Sequence, residues 1–275
     1  MVGAAALGTV AWGIGTGVEV PGAERREDAN LIVTRGDDPV RRWIVAHVDS
    51  KAQGHSLAGR LVAVWLLLAA CLGLTLLAVA RTRGTPLPAA LVAPVAGLAL
   101  AAGALAARGR LKGTSPGARD NGTGLFAALI VAAENTDPGV GFLFTGAEEF
   151  GLVGARIAAQ GGVVNSGADL INLDTLDQRG NLYLVYHDPR GAGLAQRIRP
   201  GLEGAAPKLV KSRLPLGILT DSLPFARRGI AAVTLGRLDW GTLRLIHTPR
   251  DEPTGLDLGT AAAVGRAIAR WEKSG

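Results

Sequence analysis

Short apolar segments of this 275-residue chain end repeatedly in residues that bind cations. Residues 43–46 lead into His47, with Asp49 two positions on. Residues 140–144 lead into Thr145-Gly146-Ala147-Glu148-Glu149, and residues 170–173 lead into Asp174. Asp120-Asn121-Gly122 opens an apolar helical pattern, and His247 follows a loop after residues 231–235. No thiol accompanies this set. The single Cys71 lies inside an apolar run, which excludes an internal disulfide framework and a cysteine-based metal site. Imidazole and carboxylate together suit zinc, or manganese and cobalt. Five such groups exceed the needs of one four-coordinate zinc with an open water position. They suffice for two ions about 3.5–4 Å apart if one carboxylate bridges, an arrangement that activates water and polarises a carbonyl.

The elements that must aim these groups read as an α/β domain. Residues 31–34, 43–46, 140–144, 170–173, 183–186 and 231–235 have strand character. Residues 125–133, 150–160, 223–228 and 261–272 read as helices. Residues 36–39, Gly-Asp-Asp-Pro, form a turn. Strands alternating with helices predict a mixed central sheet flanked by helices, and in such sheets ligands bind outside the carboxyl ends of the strands.

Composition points to a second element. Apolar residues make up 48% and charged residues 19%, an excess that is local. Residues 61–80 carry no charge, enough to cross a bilayer core at about 20 residues per span, and Arg81 and Arg83 follow. Residues 84–107 are uncharged too and contain Pro86, Pro88 and Pro94, which membrane helices tolerate; Arg108, Arg110 and Lys112 close them. Two such runs back to back predict a transmembrane helical hairpin, inserted as residues 57–107 into a domain made of residues 1–56 and 108–275. The hairpin separates His47 from Asp120, so its two ends must meet on one side of the bilayer. Lys51, Arg60, Arg108, Arg110 and Lys112 lie at its ends, against Arg81 and Arg83 at its tip. The positive-inside bias therefore predicts an integral membrane protein whose main domain faces the cytoplasm. The net charge of +6 is accounted for by these flanking cations. Aromatics are only 4% and interleave with no basic run, so nucleic acid is not an expected partner. Residues 1–20 are apolar and glycine-rich without the basic start of a signal peptide, and read as a loosely packed helix or a partial membrane segment.

The segments His47-Val48-Asp49-Ser50, Asp120-Asn121-Gly122-Thr123-Gly124, Phe144 to Leu152 (FTGAEEFGL), Asn172-Leu173-Asp174 and His247-Thr248-Pro249 resemble, in this order, the M28 family of zinc aminopeptidases. The resemblance implies a zinc-exopeptidase fold and a pair of zinc ions per chain. By position, His47 and Asp174 would hold one ion, Glu149 and His247 the other, and Asp120 would bridge. Glu148 would be the general base, and Asp49 would orient His47. Asp221, in Thr220-Asp221-Ser222-Leu223-Pro224-Phe225, would shape the substrate pocket. The implied reaction is removal of N-terminal residues from peptide substrates, next to the lipid bilayer. Three positions depart from the family's pattern: Arg119 precedes the bridging Asp, Ser222 stands where many relatives have His, and Ile246 stands where some have a Tyr that helps the tetrahedral intermediate. Arg119 would oppose metal binding unless it points away or pairs.

Blander roles compete at several positions. Asp120 could cap the helix after it, Glu148 and Glu149 could complement a helix N-terminus, and His55 and His187 read as ordinary surface or core residues. Asp177, Asp188 and Asp239 read as turn residues. Asn121-Gly122-Thr123 matches a glycosylation sequon, a poor acceptor if the loop builds a metal site. Two alternatives accompany the aminopeptidase reading: a metal-binding membrane scaffold without peptidase activity, and another amide hydrolase or glutaminyl-cyclase-like enzyme on the same fold. Phosphate-loop and HExxH motifs are absent from the sequence.

Overall fold

The computed structural model describes residues 27–213 and 218–271. The reading of residues 1–20 lies outside the described residues. Seven strands form one mixed sheet: β1 (Leu31–Val33), β2 (Arg42–His47), β3 (Val140–Thr145), β4 (Asp169–Leu176), β5 (Asn181–Tyr186), β6 (Leu209–Arg213) and β7 (Ala231–Leu238), in the order β1-β3-β2-β4-β7-β5-β6. The four central strands β3, β2, β4 and β7 run parallel. β1 is antiparallel to β3, so the turn at residues 36–39 does not make a hairpin of β1 and β2. β5 is antiparallel to β7 and parallel to β6.

β2 is buried along its whole length. Its alternate side chains serve opposite faces, as the pleat requires. Ile44 and Ala46 join a core with Val131 of α3 (Thr123–Glu134), Leu194 and Ile198 of α5 (Pro189–Leu202), and Val264 and Ile268 of α8 (Gly259–Arg270). Trp43 and Val45 join a second core with Ala155 of α4 (Val153–Gln160) and Phe225 of α6 (Ser222–Arg227). The chain leaves β2, returns through α3 to β3 on one side of it, then crosses through α4 to β4 on the other. This reversal opens a crevice beyond the carboxyl end of β2, where an α/β sheet takes ligands.

Two apolar helices, α1 (Leu57–Thr82) and α2 (Ala89–Ala107), interrupt the domain between β2 and α3. Their lengths of 26 and 19 residues make them long and apolar enough to cross a membrane. Large side chains stand uncovered along them, including Trp65, Leu72, Leu76 and Leu100. They pack closely at Gly73, where a Cβ would lie 2.9 Å from Val95 Cγ1. The neck is a short antiparallel bridge between Gln53 and Leu111, flanked by hydrogen bonds from Gly54 N to Arg110 O (3.1 Å) and from Lys112 N to Ala52 O (3.1 Å). The two ends of the insertion therefore meet, as the spacing of His47 and Asp120 demanded. The root is also tied to the main domain. Ala58 and Leu61 pack on Leu243, of the short helix α7 (Trp240–Leu243), and on Ile246, and Gln53 N donates to the His247 carbonyl at 3.0 Å.

Candidate metal centre

Three adjacent parallel strands place four of the predicted residues side by side. His47 ends β2, Glu148 and Glu149 follow β3, and Asp174 lies near the end of β4. Asp120 comes from an irregular turn, residues 118–122, whose φ/ψ at Asp120 (−116, 89) and Asn121 (−128, 35) are not helical. Asn121 pins that turn to β4: its Nδ2 donates to Leu173 O (2.9 Å), and its Oδ1 accepts from Gly124 N (3.1 Å) and Thr175 N (3.2 Å). Asn121 is buried in this role, which removes it as a glycan acceptor. Gly124 is required there, since a Cβ would fall 2.1 Å from Asn121 Oδ1 and 2.3 Å from Leu173 O.

The Asp120 side chain does not cap α3; its two oxygens face two histidines. Oδ1 lies 3.1 Å from His47 Nε2, and Oδ2 lies 3.5 Å from His247 Nε2. Asp174 Oδ1 approaches His47 Nε2 at 3.9 Å, and Glu149 Oε1 approaches His247 Nε2 at 3.0 Å. The ligand atoms of His47, Asp120 and Asp174 all lie within 4.8 Å of one another, as do those of Asp120, Glu149 and His247. Glu149 Oε1 is buried and has no hydrogen-bond partner among the described residues, although His247 is close. A buried carboxylate oxygen left this way is costly unless a cation takes it. Two N/O groups of three, joined by one shared carboxylate, suit a pair of borderline divalent ions such as zinc. The residues present thus fit the metal that the sequence implied.

Backbone strain gathers at the same place. Ala147 before the acidic pair (φ 51), Thr175 after Asp174 (φ 56) and His247 itself (φ 65) all adopt left-handed conformations that cost non-glycine residues energy.

Asp49 does more than accompany His47. Its backbone carbonyl lies 3.0 Å from His47 Nδ1, while its carboxylate sits 3.6 Å away and accepts instead from Glu148 N (3.0 Å) and Glu149 N (3.1 Å). One aspartate therefore fixes both the first histidine and the acidic pair. Burial works against ionisation of Asp49, and the His47 contact with these two N–H groups overcomes it, holding the carboxyl below its ordinary range. Burial opposes the charged form of His47 too, but Asp120, Asp174 and Asp49 raise its pKa well above the ordinary value. For Glu148 burial dominates: His47 pulls down, Asp221, Asp174 and Glu149 push the same way as burial, and the pKa stands well above the usual range.

Asp221 lies beneath the site rather than on an open wall. It is fully buried, its Oδ2 accepts from Thr145 Oγ1, and burial raises its pKa to about 7. His187 Nε2 meets the buried Ser222 Oγ at 2.8 Å. His55 lies at the hairpin neck beside Gly59 and Gly109.

Three supporting residues carry no signal in the sequence. Lys51, read there as a membrane-flanking cation, is buried and pairs with Glu149 Oε2 at 2.8 Å. Asp177, read as a turn residue, is buried and lies 3.4 Å from Arg119 Nε. Asp251 lies 3.5 Å from Arg119 Nη1. Arg119 thus pairs behind the site. Asp188 and Asp239 cap α5 and α7 through Gly191 N and Thr242 N, both at 2.8 Å.

The sequence pattern of peptidase family M28 matches residues 107–271. The chain belongs to peptidase family M28. This M28 chain is similar in fold to the LapA aminopeptidase of Legionella pneumophila, at 17% identity and a TM-score of 0.55 over 89% of this chain and 56% of that one. It is similar to a leucine aminopeptidase precursor of Bacteroides thetaiotaomicron, at 15% identity and a TM-score of 0.58 over 89% of this chain and 77% of that one. A glutaminyl cyclase of Bacteroides thetaiotaomicron bound to N-acetylhistamine gives 15% identity and a TM-score of 0.56 over the same shares. The M28 chain spans about half the length of LapA and of an aminopeptidase from Aneurinibacillus, of which it covers 48%. No curated protein sequence matches it.

Proposed function

We propose that this M28 chain is a metallo-aminopeptidase that uses two zinc ions to hydrolyse N-terminal residues from peptides at a membrane surface. The observation that carries the reading is Asp120, whose two oxygens each face a different histidine, at 3.1 and 3.5 Å. His47 and Asp174 would hold one ion, Glu149 and His247 the other, with Asp120 shared. When bound, such a pair lowers the pKa of water and polarises a carbonyl. Glu148 is the general base: it takes a proton from the attacking water and passes it to the leaving amine. Its carboxyl holds a proton readily because it is buried, which suits the second half of that transfer. Asp49 holds Glu148 in place through its backbone N–H, and Asp221 supports the pocket from below through Thr145.

Residues 57–107 form the membrane hairpin, and residues 1–56 with 108–275 the catalytic domain. The root lies against Ile246, one residue before His247, so the active site opens near the bilayer and peptides with membrane-proximal N-termini reach it. With Lys51 turned inward, Arg60, Arg108, Arg110 and Lys112 remain at the root against Arg81 and Arg83 at the tip, and the catalytic domain faces the cytoplasm.

The fold is shared with glutaminyl cyclases, which supports a second reading: cyclisation of an N-terminal residue at the same centre with one zinc ion. Elemental analysis of purified protein, beside an aminoacyl-arylamide assay of the wild type and Glu148→Gln, separates the two. Two metals per chain, with turnover lost and metal kept in the variant, is expected. One metal per chain favours the cyclase, metal without turnover favours a scaffold, and no metal removes the ligand assignment.

A further inference from the structure

Asp251 is fully buried, four residues after His247, and touches the turn that carries Asp120 through both carboxylate oxygens. Oδ1 accepts from Arg119 N at 2.9 Å, and Oδ2 accepts from Asp120 N at 3.2 Å. Ala118 N donates to the Asp251 carbonyl at 3.0 Å, and Asp251 N donates to Thr248 O at 3.1 Å. The turn at 118–122 leaves the helical conformation at Asp120, so these N–H groups need a partner from outside it. Asp251 supplies it from the segment that carries His247. The Arg119 guanidinium completes the contact: Nη1 donates to Glu252 O at 3.3 Å, and Nε faces Asp177. Asp49 makes the same kind of clasp on the other side, holding the N–H groups of Glu148 and Glu149 beside His47.

We infer that Asp251 is a positioning residue, which sets the Asp120 carboxylate against His247 by clasping the N–H groups of Arg119 and Asp120. The inference rests on the metal-site reading above. An ion shared by Asp120 and His247 needs their two backbone segments at a fixed separation, and Asp251 is the side chain that joins them. Partners of this kind, one step removed from the ion, are worth about 10–100-fold in metal affinity.

Asp251→Asn tests it, because an amide has one acceptor oxygen and turns a donor toward the second N–H. Zinc affinity of the purified full-length protein is measured by competition with a chromophoric chelator, and thermal melting of the metal-free protein is followed in parallel. Asp169→Asn serves as the control: Asp169 is also buried, at the far end of β4, and pairs with Arg197 at 2.7 Å. Expected is an affinity loss of about 10–100-fold in Asp251→Asn, against wild-type affinity in Asp169→Asn despite its lower melting temperature. Wild-type affinity in both variants overturns the inference and leaves the metal site standing. Zinc-free wild-type protein overturns the metal-site reading itself, and this inference with it. If Asp251→Asn does not fold, Asp251→Glu carries the test: it keeps the charge and displaces the carboxylate by one methylene, so reduced affinity supports the clasp and unchanged affinity overturns it.

Discussion

Lys51 Nζ lies 2.8 Å from Glu149 Oε2 and donates to the Glu149 backbone carbonyl at 2.8 Å. A buried ammonium thus occupies one oxygen of a carboxylate whose other oxygen is turned to His247. Lys51 balances the acid before any ion binds and leaves Glu149 one oxygen to offer. In Lys51→Met the Glu149 charge is buried without its partner, and the metal-free protein loses about 3–5 kcal/mol. Calorimetric melting should show the deficit shrinking when zinc is added, because the ion replaces the lost cation. An equal deficit with and without zinc would mean that Glu149 does not bind it.

Glu148→Gln keeps the shape of the side chain and removes its proton affinity. Turnover of an aminoacyl-arylamide should fall by about 10²–10⁴-fold. Metal content should stay at the wild-type value, since Glu148 belongs to neither three-residue ligand group. Loss of metal together with turnover would make Glu148 a ligand rather than a base.

Asp221 gives a pH signature. Burial raises its pKa from the ordinary 3.8 to about 7. Between these values the folded protein keeps a proton that the unfolded chain has released, so stability falls as pH rises through this window and levels off above about 7. Asp221→Asn, which cannot ionise, should melt above wild type at pH 8, with the advantage shrinking toward pH 4. The comparison uses metal-free protein and its thermal midpoint across that range. A constant offset between the two proteins would show that Asp221 does not titrate there.

The hairpin makes a topological prediction. In a Cys71→Ser background, a cysteine at Gly84 should react with a membrane-impermeant maleimide from one side of sealed vesicles, and a cysteine at Lys112 from the other. Labelling of both from the same side would return α1 and α2 to the surface of a soluble domain.

The site types were legible in the sequence because they are local. An apolar run that ends in His47, Glu149 or Asp174 reports a strand and what it delivers in one stretch of chain. The hairpin was legible for the same reason, as two uncharged runs bounded by arginine. Other elements were not. α5 contains Pro189, Pro200 and three glycines, which argue locally against a helix; burial of Leu194, Ile198 and Leu202 in the core holds it in place. β6 pairs along β5 and has no fully buried residue, so its sequence, Leu-Val-Lys-Ser-Arg, lacks a clear alternation.

By itself, the sequence determined the family pattern, the mixed sheet and the residue types gathered at its carboxyl edge, since each is written in neighbouring residues. Only the tertiary structure decided which groups meet. Glu149 finds Lys51 from 98 residues away, and Arg119 finds Asp251 from 132. Pairings of this range depend on how the sheet order folds distant loops together, and spacing along the chain does not encode them. The same contacts turn Arg119 from a cation that would oppose a metal into one neutralised by Asp177 and Asp251 behind it.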